Sequence, residues 1–289
     1  MQAAAVRRVR VACATAVLAG AAVSAAPAQA RPAPGSLAAP IVVVTTLTDD
    51  RIVEASALVS GSATDGRACV ANDKGNAPLV YCVDLETGQT YGTVRMDGVE
   101  VVDSEAMAAA GDGKVWLGDI GDNDEVRETV NLMRAPYPDA GASSVRPRVV
   151  PLRYPDGPHD AETLLVNRST GVRWIVTKED TAGVYRVPAD AGPEATSTLV
   201  EVAGVNAPAN VTDGVVLRGG RGLVLRTHDI ATVYDLPGWQ RIGAFALPPQ
   251  PQGEAITHEH GRALLITSEG LHPDVLRARI PRALWRQLD

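Results

Sequence analysis

The chain has 289 residues, with 27 Lys and Arg against 34 Asp and Glu and a formal net charge of −7. An acidic chain is a poor partner for nucleic acid or an anionic membrane and a good one for cations. With one Phe, four Trp and six Tyr, the core must be filled by Val, Leu, Ile and Ala, which suits many short strands better than thick helices.

Arg7, Arg8 and Arg10 precede an apolar stretch from Val11 to Ser24, and Ala28-Gln29-Ala30 is a small-x-small cleavage site. The pattern predicts a secretory signal over residues 1–30 and a Pro/Ala-rich linker at 31–39. The protein is then expected to be secreted or extracytoplasmic, with no stable membrane insertion after signal removal. Losing three arginines takes the mature charge to about −10. Cys13 leaves with the signal, and Cys69 and Cys82, on neighbouring predicted strands, suit the single disulfide of an exported protein.

From residue 40 to 289 one domain is expected. Ile41 to Leu47 reads as a strand without a local partner. A unit then recurs: an acid, a short apolar strand, a Gly or Asp turn, a second apolar strand and a polar end, followed by two outer strands. The first copy begins at Glu54, turns at Asp65-Gly66, returns to Asn72-Asp73, and continues through Leu79 to Asp84 and Tyr91 to Met96. The second begins at Glu105, turns at Gly111-Asp112-Gly113 and returns to Gly118-Asp-Ile-Gly-Asp-Asn123, with outer strands near Asn131 and Arg148. The third runs from Glu162 through Arg173–Val176 to Lys178-Glu179, then Val184–Arg186 and Leu199–Val202. The fourth runs from Asp213 through Leu223–Leu225 to His228-Asp229, with outer strands at Thr232 and Ile242. The fifth runs from Glu254 through Ala263–Ile266 to Ser268-Glu269 and Val275–Arg277.

Four copies have four strands and the last has three, so Ile41–Leu47 supplies the missing one. The expected fold is an all-β propeller of five four-stranded blades, closed by the N-terminal strand, with a sixth blade possible in Asp124 to Gly157. A short helix is expected only in the tail from Pro281 to Leu288.

In a propeller the start of each first strand and the end of each second strand meet at one mouth of the central channel. The spacing between them is roughly 14 to 18 residues in all copies, as two short strands require. Glu54, Glu105, Glu162, Asp213 and Glu254 would then form an acidic ring. Such a ring invites compensation by a cation, because like charges raise one another's pKa. Oxygen-only ligands favour a divalent cation, Ca²⁺ before Mg²⁺. Asp119, Asp122 and Asn123, with Asp124 beside them, look like a local calcium loop without EF-hand spacing. The expected metal ligands are Glu54, Glu105, Asp119, Asp122, Asn123, Glu162, Asp213 and Glu254. Glu105, Glu162 and His228 are the candidate proton acceptors of a metal-assisted hydrolysis. His159 has a weaker claim, and His258 and His260 read as a solvated turn. Lys178 and Arg226 would bind an anionic substrate or pair with the acids. The motifs of serine hydrolases, P-loops, dinucleotide folds, zinc proteases and thiol oxidoreductases are all missing from the sequence.

The residues Asp103-Ser-Glu105-Ala-Met, Gly118-Asp-Ile-Gly-Asp-Asn123 with Arg127, Tyr154-Pro-Asp-Gly157 with Asp160-Ala-Glu162, and Thr177-Lys178 resemble a group of bacterial exported propellers. Their superfamily includes the esterase-like phytases, the SdiA-regulated proteins and the gluconolactonase-like and strictosidine-synthase-like enzymes. The resemblance implies a cation at the mouth held by Glu105, Asp122, Glu162 and Glu254. The fourth copy departs from it, with Asp213-Gly214 in place of Glu-Ala. The function expected is metal-dependent hydrolysis of an ester, lactone or phosphoester by a monomer. The alternative is a non-catalytic propeller that binds a small molecule or an extracellular protein, its acidic ring serving as structural ties.

Overall fold

The computed structural model describes residues 41–60 and 66–288. The expected signal, the linker and Asp65 of the first turn lie outside the described residues.

Strand β1 (Val42–Thr46) comes first. Blade one follows as β2 (Ala55–Ser60), β3 (Arg67–Asn72), β4 (Leu79–Asp84) and β5 (Thr90–Met96). Blade two contains β6 (Ser104–Ala109), β7 (Lys114–Asp119) and β8 (Val130–Pro136). The chain then leaves as β9 (Gly141–Val145) and returns as β10 (Arg148–Arg153). Blade three contains β11 (Ala161–Val166), β12 (Arg173–Thr177), β13 (Val184–Arg186), then, after the two-residue β14 (Ser197–Thr198), which joins the sheet of blade two, β15 (Val200–Glu201). Blade four is β16 (Asp213–Val216), β17 (Gly222–Arg226), β18 (Ile230–Asp235) and β19 (Arg241–Ala246). Blade five is β20 (Gly253–His260), β21 (Ala263–Ser268) and β22 (Asp274–Arg279). The inner strands β2, β6, β11, β16 and β20 pack side by side in that order, and β20 meets β2 again. The fold is a five-bladed β-propeller.

β1 pairs antiparallel with β22, Val43 opposite Leu276, so the N-terminal strand closes the last blade as expected. The candidate sixth blade, Asp124 to Gly157, supplies β8, β9 and β10 to blades one and two instead. β9 pairs in parallel with β5 of blade one, and β14 pairs in parallel with β10 of blade two. Helix α1 (Arg282–Trp285) packs Leu284 against blade four, and Leu288 after it does the same, where Gly243 and Gly222 leave room for them.

Strand alternation explains the nearly continuous apolar runs. On β3, Ala68 and Val70 face blade five while Cys69 and Ala71 face blade two, so both faces of one strand are buried. Cys69 lies opposite Cys82 on β4 and is joined to it by a disulfide, with a Cα separation of 4.0 Å. Leu58, Met107, Leu164, Val216 and Ile256 plug the channel, leaving a residual cavity of about 30 Å³. The acidic mouth is therefore the rim of a cup, not the entrance of a pore. No helix among the described residues is long and apolar enough to cross a membrane.

Candidate cation site at the channel mouth

Four of the five inner strands begin with a β-bulge. Its unpaired residue is Ser56, Glu105, Glu162 or Glu254, each lying between two paired neighbours. A bulge leaves one residue outside the ladder and re-aims its side chain. β16 has no bulge. The bulges correct the expected equivalence of five acids. Glu54 corresponds to Asp103 and Asp160, two residues before the bulge, and Asp213 corresponds to Ser104, one residue before it. Backbone bonds repeat with this alignment: the N–H groups of Asp73, Gly121, Lys178 and Glu269 donate to the carbonyls of Glu54, Asp103, Asp160 and Gln252 at 2.9 to 3.2 Å.

With the alignment set, the expected ligands separate into different kinds. Asp119 is fully buried and has no free valence: Oδ1 accepts from the N–H groups of Val102 and Asp103 at 3.0 and 2.8 Å, and Oδ2 from Arg127 and Asn131 at 2.8 and 3.2 Å. Asp122 caps its own turn, accepting from the Arg127 N–H at 2.7 Å. The expected calcium loop around Asp119 and Asp122 is therefore a hydrogen-bonded turn, folded around Arg127. Asp213 is also saturated, accepting from the N–H groups of Gly214 and Ile256, both at 2.7 Å, and so tying blade four to blade five. Burial holds its carboxyl well above the usual range. Glu54 is exposed and accepts from Asn76 at 2.8 Å.

Two cations are already spent within the ring. Lys178 bonds to Glu162. Burial disfavours the Lys178 charge, yet Glu162, Glu254 and Glu105 raise its pKa overall, so the ammonium lies in the field of three blades. Arg226 lies fully buried, donating to the carbonyls of Thr227, His228 and Ala255 at 3.0, 2.8 and 2.8 Å. It is a structural tie, beyond reach of a substrate. His228 is half exposed, with Nδ1 3.2 Å from the Gly253 carbonyl and 3.6 Å from Glu254 Oε1. His258, expected in a solvated turn, is instead buried. Its Nδ1 accepts from the Arg218 N–H at 2.9 Å and its Nε2 lies 2.8 Å from the Gly261 carbonyl.

Among the described residues, the side of the ring between blades one and two has no salt bridge, although Lys74 lies near enough to pull on Asp103. Asp73, Asp103 and Glu105 each bring a carboxylate oxygen within 4.8 Å of the other two. Asp103 and Glu105 are 5% exposed, and Asp103 Oδ1 is buried without a partner. Gly121 makes the cradle possible, because a Cβ there would sit 2.5 Å from Asp103 Cγ and 2.8 Å from Glu105 Cγ. Asn123 lies over it, its Nδ2 3.4 Å from Asp103 Oδ2. Burial, then Glu162, Asp73 and Asp103, pushes Glu105 up to about 12. Burial, then Asp73, raises Asp103 to about 6. Burial also raises Glu162 to about 8, against the pull of Lys178, and Glu269 to about 7, with Glu254 and Asp73 adding to it. Each shift favours the protonated carboxyl.

No protein-family model and no curated protein matches the sequence. Among solved structures the chain is similar to the β-propeller domain of Cps50 (Swd1) of Myceliophteria thermophila. The identity is 11%, the match covers 78% of this chain and 82% of that one, and the TM-score is 0.43.

Of the expected ligands, Glu105 lies in the carboxylate cluster, Glu162 and Glu254 line the mouth beside it, and Asn123 stands above. Asp73 and Asp103 are the members that the ligand set read from sequence lacks. Asp103 carried a signal, since it lies two residues before Glu105, as Asp160 lies before Glu162.

Proposed function

We propose that the mouth binds a divalent cation, Ca²⁺ before Mg²⁺, through Asp73, Asp103 and Glu105. The observation that carries this reading is the unpartnered Asp103 Oδ1, more than nine-tenths buried inside a three-carboxylate cradle. Such an oxygen is met either by a proton shared within the cluster or by a cation, and a hard cation satisfies several such oxygens at once. Three carboxylates leave the remaining positions of a Ca²⁺ to water or to the oxygens of a ligand. A cavity of about 350 Å³ beside Glu269, lined by Gln250, Ser268, Leu271 and His272, offers room for a small molecule.

Binding is favoured over hydrolysis by the state of the bases. Glu162 is engaged by Lys178, and Glu105, pushed up to about 12, is protonated at neutral pH. Kinship with the lactonase-like and phytase-like exported propellers is part of the proposal, supported by Asp103-Ser-Glu105 and by the role of Gly121 within Gly118–Asn123. An extracytoplasmic location is supported by the Cys69–Cys82 disulfide.

The test is calorimetric titration of Ca²⁺ and Mg²⁺ into chelator-stripped protein, beside Asp103→Asn and Glu105→Gln. Saturable binding weakened at least tenfold (about 1.4 kcal/mol) in each variant is expected. Absence of binding heat in the wild type, with no shift in melting temperature, would refute the site.

A further inference from the structure

A second site lies between blades two and three, at the end of the blades away from the acidic mouth. The strand registers place Ala108, Trp116, Arg134 and Arg148 abreast across β6, β7, β8 and β10. Residues in phase with them on the same strands, Val130, Leu132, Val150 and Leu152, form the apolar layer against blade three. Arg134 and Arg148 therefore occupy positions that face a neighbouring blade, where the pattern elsewhere is apolar. From blade three, Arg173 at the start of β12 enters the same space and is 8% exposed. The three arginines and Trp116 line a cavity of about 220 Å³.

Like charges directly opposite on neighbouring strands repel, and a buried guanidinium is costly unless its donors are met. Arg148 stands opposite Arg134. Arg173 makes one long bond, to the Pro188 carbonyl at 3.5 Å, and stacks 4.8 Å from the Trp116 ring centroid. Arg134 pairs with Asp112 in the β6–β7 turn, yet its Nε is buried without an acceptor. Among the described residues Arg148 and Arg173 have no ion pair, so Arg134–Asp112 is the one ion pair that the three guanidinium groups make. Burial, and then Arg148 and Arg134, lowers the Arg173 pKa, as expected where positive charges crowd without a counter-ion. Stacking on Trp116 holds Arg134 and Arg173 in place, at 5.5 and 4.8 Å from the ring centroid. A preformed guanidinium fork suits tetrahedral oxyanions.

We propose that this interblade pocket binds a phosphate or sulfate oxyanion, its oxygens accepting from Arg148 and Arg173, with Arg134 lining the same cavity. The excess of guanidinium over carboxylate matches an anion of about two negative charges.

The test uses the intact protein in chelator, so that the cation site stays out of the measurement. Heats of binding and melting temperatures are recorded with sodium phosphate, sodium sulfate and sodium chloride at matched ionic strength. Saturable binding of phosphate or sulfate with a Kd of about 10 µM to 1 mM is expected, with no response to chloride beyond screening. Arg148→Gln, at an exposed position, should fold and weaken that binding at least tenfold. Arg148→Gln with Arg173→Met should abolish it and melt in chloride no lower than the wild type, the like-charge repulsion having been removed. Absence of saturable heat from both oxyanions in the wild type overturns the proposal whatever the variants do. Unchanged affinity in Arg148→Gln overturns it as well, and leaves the arginines as packing against Trp116.

Discussion

Gly121→Ala should disturb the mouth by crowding alone. Gly121 is not in the left-handed region, so alanine is allowed there by torsion. The added Cβ would meet Asp103 Cγ at 2.5 Å, Asp103 Oδ2 at 2.7 Å and Glu105 Cγ at 2.8 Å. Carbon atoms rest about 3.5 to 4.0 Å apart, so both carboxylates must retreat by roughly 1 Å. Overpacking of this kind costs about 1–3 kcal/mol, or roughly 2–12 °C in Tm for a domain of this size. Because the retreat spreads the ligand set, Ca²⁺ affinity should fall at least tenfold, about 1.4 kcal/mol. Gly113→Ala is the control: its φ is +74° and a Cβ there meets nothing within 4 Å. It should cost about 1 kcal/mol in backbone strain and leave Ca²⁺ binding unchanged. Urea denaturation and Ca²⁺ titration of the three proteins decide the matter. Gly121→Ala with wild-type stability and wild-type affinity would refute the steric account of the cradle.

The mouth also sets a pH dependence. Asp103, Glu269 and Glu162, at about 6, 7 and 8 when folded, lie above their ordinary values. Their contribution to stability is fully present below about pH 4, the unfolded carboxyl range, and is lost as pH rises from there to about 8, at about 1.4 kcal/mol per pH unit for each proton of difference. Cation-free protein should therefore lose stability across that range in urea titrations, and saturating Ca²⁺ should flatten the loss; stability that rises instead would contradict the assignment. Asp213→Ala strands the N–H groups of Gly214 and Ile256. It should cost about 2–6 kcal/mol in the same assay, two buried donors being left unmet, and a loss below about 1 kcal/mol would show the tie to be dispensable. Cys69→Ala with Cys82→Ala opens a short loop, the cysteines being 13 residues apart. Its expected cost is about 3 kcal/mol, with calorimetric Ca²⁺ affinity unchanged.

The propeller was legible because its signals are local and repeat. Each blade announces itself by a hairpin with a glycine or aspartate turn, and the orphan strand before Glu54 had one place to go. The site was legible only in part, because register is set by bulges and a bulge has no sequence period. Glu54-Ala55 looks like Glu105-Ala106, yet Ala55 pairs with Asn72 as Ser104 pairs with Asp119. The resulting offset of two residues hid the correspondence between Glu54 and Asp103, and so hid Asp103 itself. Asp119 and Asp122 have the composition of metal ligands, but both Asp119 oxygens and Asp122 Oδ2 are taken by Arg127, Asn131 and backbone N–H groups. Composition alone cannot separate a ligand from a cap.

The parallel strands β9 and β14 carry a consequence for how the ring assembles. Each leaves its own place in the chain to lie along the outer edge of the preceding blade, and Gly92 is bare where the backbone arrives, a Cβ there falling 1.9 Å from the Asp139 carbonyl oxygen. Both stitches point backwards along the chain. A polypeptide emerging N-terminus first can therefore cover the edge of blade one as soon as residue 145 is available, and that of blade two by residue 198. The seam between β1 and β22 must wait for the end of the domain. Until then β1, with Ile41, Val42 and Val43 about half exposed even in the finished ring, is an unpaired apolar strand that another chain could capture. A newly made or refolding propeller is thus most vulnerable to strand exchange at this one seam, while its first two blades are already bound to their successors.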